Sequence, residues 1–129
     1  MSRELTSLKV LIVDDSPINH KVVAFPLKST FKEITSAFNG EEGFEHFKAT
    51  EADVILMDIS MPIMDGIQCT QAIRTFEKEN NRATPVIILA MTGNESDEDI
   101  KEYLAAGMNG CVGKPINKEL LLETITDLL

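Results

Sequence analysis

Two cysteines among 129 residues, Cys69 and Cys111, are too few and too widely spaced for a disulfide framework or a zinc knuckle. Both sit in apolar surroundings, where reduced, buried thiols are the expected state. No run of basic residues occurs, and 12 Lys and Arg against 21 Asp and Glu leave a formal net charge of −9. That balance argues against unassisted binding to nucleic acid or to anionic lipid. No apolar stretch exceeds strand length, and the opening Met1-Ser2-Arg3-Glu4-Leu5-Thr6 lacks the apolar core of a signal peptide. A soluble, cytoplasmic protein with no membrane association is the expectation. Repeats, low-complexity tracts and interdomain linkers are also missing.

What is present is ordinary globular usage, 43% hydrophobic and 26% charged, enough to build a core without staples. The length suits one domain spanning 1–129. Short apolar runs alternate with segments of helical period, the pattern of an α/β chain with a parallel sheet. Lys9–Val13, Val54–Met57 and Val86–Ala90 are rich in β-branched residues and nearly continuous, as strands buried on both faces are. The partly polar Glu33–Ala37 reads as an edge strand and Gly110–Val112 as a short fifth one. Ser16 caps a helix with Pro17 at its first position, running towards Leu27 and ended or bent by Pro26. Ile67, Ala72, Ile73 and Phe76 recur at helical spacing, as do Ile100, Tyr103 and Leu104, and then Leu120, Leu121, Ile125 and Leu128. Each stripe reads as core packing. The polar run Glu77–Arg82 reads as a surface loop before the fourth strand.

Ligands of an open α/β sheet bind at the carboxyl ends of its strands, so the residues just after each apolar run carry the functional argument. Asp14-Asp15 follows the first run, Asp58 ends the third, Thr92 lies past the fourth and Lys114-Pro115 follows the fifth. Singly, such residues more often cap turns or sit solvated than react. Together they converge on one cleft. Three carboxylates in one place ionise together only beside a cation, and hard carboxylate oxygens suit Mg²⁺. A metal ion, an ammonium and a hydroxyl around one carboxylate are what a transferring phosphoryl group needs, with Asp58 as its acceptor. Asp65-Gly66 reads as a turn or helix start, and Asn94–Asp99 as a capped, acidic first helical turn. His20 and His46 lack partners at metal-ligand spacing and read as surface or boundary residues.

The ordered motifs Val10-Leu11-Ile12-Val13-Asp14-Asp15, Met57-Asp58-Ile59-Ser60-Met61-Pro62-Ile63-Met64-Asp65-Gly66, Ala90-Met91-Thr92-Gly93 and Gly113-Lys114-Pro115 resemble the receiver domain of two-component response regulators. The likeness runs from Leu8 to Leu129. It implies a flavodoxin-like, doubly wound five-stranded parallel sheet, strand order 2-1-3-4-5, with five helices. It also implies a phosphorelay role: Asp58 accepts a phosphoryl group from the phosphohistidine of a histidine kinase or histidine phosphotransfer protein. By matching position, Asp15 would ligate Mg²⁺ (or Mn²⁺) directly and Asp14 mainly through water, with Asp58 and the Ile59 carbonyl, or that of Ser60, completing the set. Thr92 and Lys114 would hold the phosphoryl oxygens. A cis Lys114-Pro115 bond is implied, as is a partner face on the fourth helix, fifth strand and fifth helix, around Tyr103 to Lys118. The chain would be a monomer or a weak phosphorylation-dependent dimer, and not an enzyme in the usual sense, although it would catalyse its own phosphorylation and dephosphorylation. Cys111 stands where most such domains carry Tyr or Phe, so the usual ring movement that accompanies a Thr92 displacement has no counterpart here. Ser60 and Asn94 occupy positions that tune acyl-phosphate hydrolysis.

Three other readings are less well supported. A flavin- or nucleotide-binding module would need a donor-rich first loop, whereas Asp14-Asp15 repels an anion unless a metal intervenes. An Asp-nucleophile phosphatase resembles a pattern with a second Asp two residues after the nucleophile, and that position is Ser60. A degenerate, purely partner-binding receiver would not keep Asp14, Asp15, Asp58, Thr92 and Lys114 all together.

Overall fold

In the computed structural model, which describes residues 4–59, 61, 63–82, 84–93 and 96–129, the β-branched runs form the centre of a parallel sheet. They are β1 (Lys9–Val13), β3 (Val54–Asp58) and β4 (Ile87–Thr92), flanked by β2 (Glu33–Ala37) and β5 (Gly110–Gly113) in the order β2-β1-β3-β4-β5. Five helices alternate with the strands: α1 (Pro17–Leu27), α2 (Gly40–Thr50), α3 (Gly66–Glu79), α4 (Asp97–Ala106) and α5 (Lys118–Leu128). Glu33–Ala37 is an edge, as its mixed composition requires.

Strand periodicity divides the core in two. Val10, Ile12, Val54, Leu56, Leu89 and Met91 face α1 and α5, meeting Val23, Leu27, Leu121 and Ile125. Their neighbours Leu11, Val13, Ile55, Met57, Ile88 and Ala90 face the other side, against Phe47, Ile73 and Tyr103. Burial of both faces explains why these strands read as continuous apolar runs, and each fully buried Leu or Ile contributes about 1.5–3 kcal/mol.

Local signals set the helix starts. The Ser16 hydroxyl accepts from Asn19 N–H with Pro17 at the first position, and capping boxes at Asp65 and Ser96 open α3 and α4. Pro26 lies inside α1, which ends one residue later at Leu27. β4 starts one residue later than its apolar run and reaches Thr92, and β3 and β5 extend to Asp58 and Gly113.

Several sequence readings are corrected. Leu104, Leu120 and Leu128 are exposed rather than core, because the apolar stripes of α4 and α5 are wider than the faces these helices bury. Cys111 is half-buried rather than buried. Glu77 to Glu79 belong to α3, not to a surface loop. Glu77 is 6% exposed, with Oε1 2.7 Å from Arg74 Nη1 and Oε2 accepting Val86 N–H at 2.7 Å. Arg74 also donates to Gly107 O at 2.8 Å and to Asn109 Oδ1 at 2.9 Å, and Asn109 Oδ1 accepts Ile88 N–H at 2.8 Å. The network ties α3 to the start of β4 and to the turn before β5, away from the strand ends that gather the carboxylates.

Candidate functional site

The parallel order brings the carboxyl ends of β1, β3, β4 and β5 to one edge, and with them Asp14, Asp15, Asp58, Thr92 and Lys114. Asp14 and Asp58 are buried, Asp15 is exposed, and each offers an oxygen within 4.8 Å of the others. Lys114 Nζ lies 3.3 Å from Asp58 Oδ1 and 3.5 Å from Asp14 Oδ2. Thr92 ends β4 beside Gly113, and its carbonyl accepts Lys114 N–H at 2.9 Å, so backbone pairing carries Lys114 to the cleft. The Lys114-Pro115 bond is cis.

Among the described residues, one ammonium against three carboxylates leaves the cluster with a formal surplus of two negative charges. Uncompensated carboxylates at this spacing repel, and an all-oxygen set with a solvent-exposed member fits a hard divalent cation that keeps part of its water. The donor chemistry therefore suits Mg²⁺. The backbone candidates divide: the Ile59 carbonyl accepts Gly66 N–H at 3.1 Å, whereas Ser60 lies outside the described residues, as does Asn94.

Three residues that grip Asp14 have no signal in the sequence pattern. Asp14 Oδ1 accepts Ser16 N–H at 2.9 Å, and Oδ2 accepts from Asn19 Nδ2 at 3.3 Å. His20 is neither a surface nor a boundary residue: it is 5% exposed, with Nε2 2.7 Å from the Asp14 carbonyl oxygen. His20 sits inward on α1 because its ring finds both that acceptor and the face of Phe38, at a centroid distance of 4.5 Å. His46 is half-buried, at the boundary expected for it.

The thiols differ. Cys69 lies in the core on α3, and burial pushes its pKa up from 9.0 to about 12. Cys111 sits on β5 opposite Ala90 and packs against the α2–α4 side of the core. Beside the acidic cleft, α1 presents an apolar outer face in which Ile18, Val22 and Phe25 are 73%, 54% and 80% exposed, and Ile63, in the loop after Asp58, is 75% exposed. Among the described residues no helix is long and apolar enough to cross a membrane.

Comparison with known proteins places this geometry among relatives. The family described as response regulator receiver domain matches residues 10–126. Two-component system protein A of Emericella nidulans is 36% identical over 119 residues, covering 90% of this chain but 17% of that protein. Chemotaxis protein CheY of Halobacterium salinarum is 34% identical, with 94% of this chain and 96% of that protein covered. A chain in the co-crystal structure of the Saccharomyces cerevisiae phosphotransfer protein Ypd1 with the receiver domain of Ssk1 superposes with a TM-score of 0.87 at 32% identity, over 97% of this chain and 90% of that one.

Proposed function

The chain belongs to the response regulator receiver domain family, and from that premise we propose that Asp58 is its phosphoacceptor and that Asp14, Asp15 and Asp58 hold Mg²⁺. The observation that carries this reading is the Lys114 ammonium 3.3 Å from Asp58 Oδ1, within a cluster that gathers three carboxylates. A carboxylate oxygen of Asp58 attacks the phosphorus of a phosphohistidine. The new O–P bond forms as the N–P bond breaks, and the electron pair leaves with the donor's imidazole nitrogen. Lys114 neutralises charge on the phosphoryl oxygens, and the Thr92 hydroxyl supplies a directional donor from the end of β4. When bound, Mg²⁺ supplies further charge neutralisation on those oxygens and draws on the carboxylates of Asp14 and Asp15, with a backbone carbonyl from Ile59 or Ser60 as a further ligand. The aspartyl phosphate is an acyl phosphate, open to hydrolysis, so the modification is temporary.

The donor is a histidine kinase or a histidine phosphotransfer protein, and a cytoplasmic location goes with that reading. To deliver phosphorus to Asp58 the donor must cover the rim of the cleft, where Ile18, Val22 and Phe25 stand exposed. That apolar face of α1 supports seating the donor there. Phosphorylation then shifts Lys114 and Thr92 towards the phosphoryl group and biases partner binding.

Intact mass after incubation with acetyl phosphate tests the assignment. A single phosphoryl addition that needs Mg²⁺ and is absent from Asp58→Ala is expected. No addition from acetyl phosphate and none from a phosphohistidine donor protein would overturn it.

A further inference from the structure

We propose that His20 is a positioning residue for the metal-binding loop, acting through the peptide that joins Asp14 to Asp15; the proposal rests on the reading of those two carboxylates as metal ligands. The Asp14 carbonyl can only accept, so the nitrogen 2.7 Å away, His20 Nε2, carries a proton and donates it. The other ring nitrogen, Nδ1, is buried and has no hydrogen-bond partner among the described residues. An orphaned buried polar atom carries a desolvation cost that a leucine of similar bulk would not incur. Packing alone therefore does not account for an imidazole at this place, whereas the bond to the Asp14 carbonyl does.

That carbonyl and the Asp15 N–H belong to one rigid plane. Holding the oxygen restrains that plane, and with it the position of the Asp15 Cα from which the side chain departs. Asp14 needs little help, since its carboxylate is already held by Ser16 N–H and by Asn19. Asp15 is the exposed member of the cluster, and His20 bears on the peptide that leads to it. Phe38 keeps the imidazole in place, with ring centroids 4.5 Å apart and planes inclined by 46°. Mg²⁺ tolerates little error in ligand direction, so loss of this bond reads out as lost affinity.

Titration calorimetry with Mg²⁺ on the whole chain tests the inference, using wild type, His20→Leu and His20→Gln, each first shown to be folded by its amide NMR spectrum. His20→Leu is expected to weaken Mg²⁺ binding about tenfold or more, and His20→Gln, whose side-chain amide can donate to the same carbonyl, to return it to within about threefold of wild type. A folded His20→Leu that binds Mg²⁺ like wild type overturns the proposal, as does a His20→Gln as weak as His20→Leu. Wild type that binds no Mg²⁺ removes the metal reading itself and the positioning role with it. Should His20→Leu not fold, the imidazole nitrogens of wild type decide. A proton on Nε2, with a resonance that moves at the same Mg²⁺ concentration as the Asp14 and Asp15 amides, supports the inference. A proton on Nδ1, or a resonance that stays still at saturating Mg²⁺, overturns it.

Discussion

Gly66 and Asp58 approach so closely that a Cβ on Gly66 would overlap the Asp58 carbonyl oxygen. The start of α3 is thereby pressed against the strand end that carries the proposed acceptor carboxylate, and Gly66 N–H donates to the Ile59 carbonyl at 3.1 Å. Gly66→Ala forces strand end and helix apart. It is expected to lower stability by about 1–3 kcal/mol, as overpacking does, and to slow phosphorylation by acetyl phosphate as well. Denaturant unfolding and a time course of intact mass measure the two effects.

Removing the Lys114 ammonium separates metal binding from phosphoryl transfer. In Lys114→Met the carboxylates of Asp14 and Asp58 lose the cation 3.5 and 3.3 Å away, so Mg²⁺ is expected to bind several-fold more tightly. Phosphorylation is expected to fall by about a hundredfold, since a preorganised charge on the phosphoryl oxygens is gone. Weaker Mg²⁺ binding in this variant would refute the charge argument.

Donor identity discriminates the outer face of α1. Phe25→Ser alters an exposed ring outside the acidic cluster, so phosphorylation by acetyl phosphate is expected to proceed at the wild-type rate. Transfer from a phosphohistidine protein is expected to slow about tenfold, the cost of about 1.4 kcal/mol of lost contact. A wild-type rate from the phosphohistidine protein as well would remove the outer face of α1 as the docking face.

Cys69 carries an alkaline signature. Its folded pKa, about 12, lies above the ordinary value of 9.0, so the unfolded chain releases this proton first. Stability is unaffected by this thiol below pH 9.0 and is lost as pH rises from there towards 12, by about 1.4 kcal/mol per unit. Cys69→Ala is expected to flatten that part of the stability curve. Native thiol titration near neutral pH is expected to find Cys111 reacting well ahead of Cys69.

Glu77 distinguishes a buried network from a polar surface. Glu77→Leu leaves Val86 N–H unpaired and strips Arg74 of its carboxylate, and is expected to cost about 3–5 kcal/mol in urea unfolding. A surface-loop residue at this position would change stability by less than about 0.5 kcal/mol.

The parts of this molecule that composition and order reveal are those fixed by local chemistry. Lys9–Val13 and its counterparts announce buried strands, Ser16, Asp65 and Ser96 announce helix starts, and the polar residues after each strand announce the cleft. Hidden from such reading are side chains whose role depends on a neighbour that only the folded backbone brings to them. Glu77 looks like one more surface charge until Val86 N–H and Arg82 fold back against it. His20 looks like a helix-surface residue until the carbonyl of Asp14 and the ring of Phe38 meet it. Leu104 and Leu120 fit a helical stripe equally well on either side of the buried face, and only packing decides which side stays wet.

Lys114 reaches Asp58 across 56 residues of chain, from just past β5, the fifth strand in chain order and an edge of the sheet. Asp14, Asp15 and Asp58 thus leave the ribosome before the Lys114 ammonium that lies against them in the folded sheet. Reactivity towards a phosphodonor is then a property of the finished sheet. On the proposed role of Asp58, an intermediate lacking β5 would hold the acceptor carboxylate without Lys114 and would not yet answer a phosphodonor.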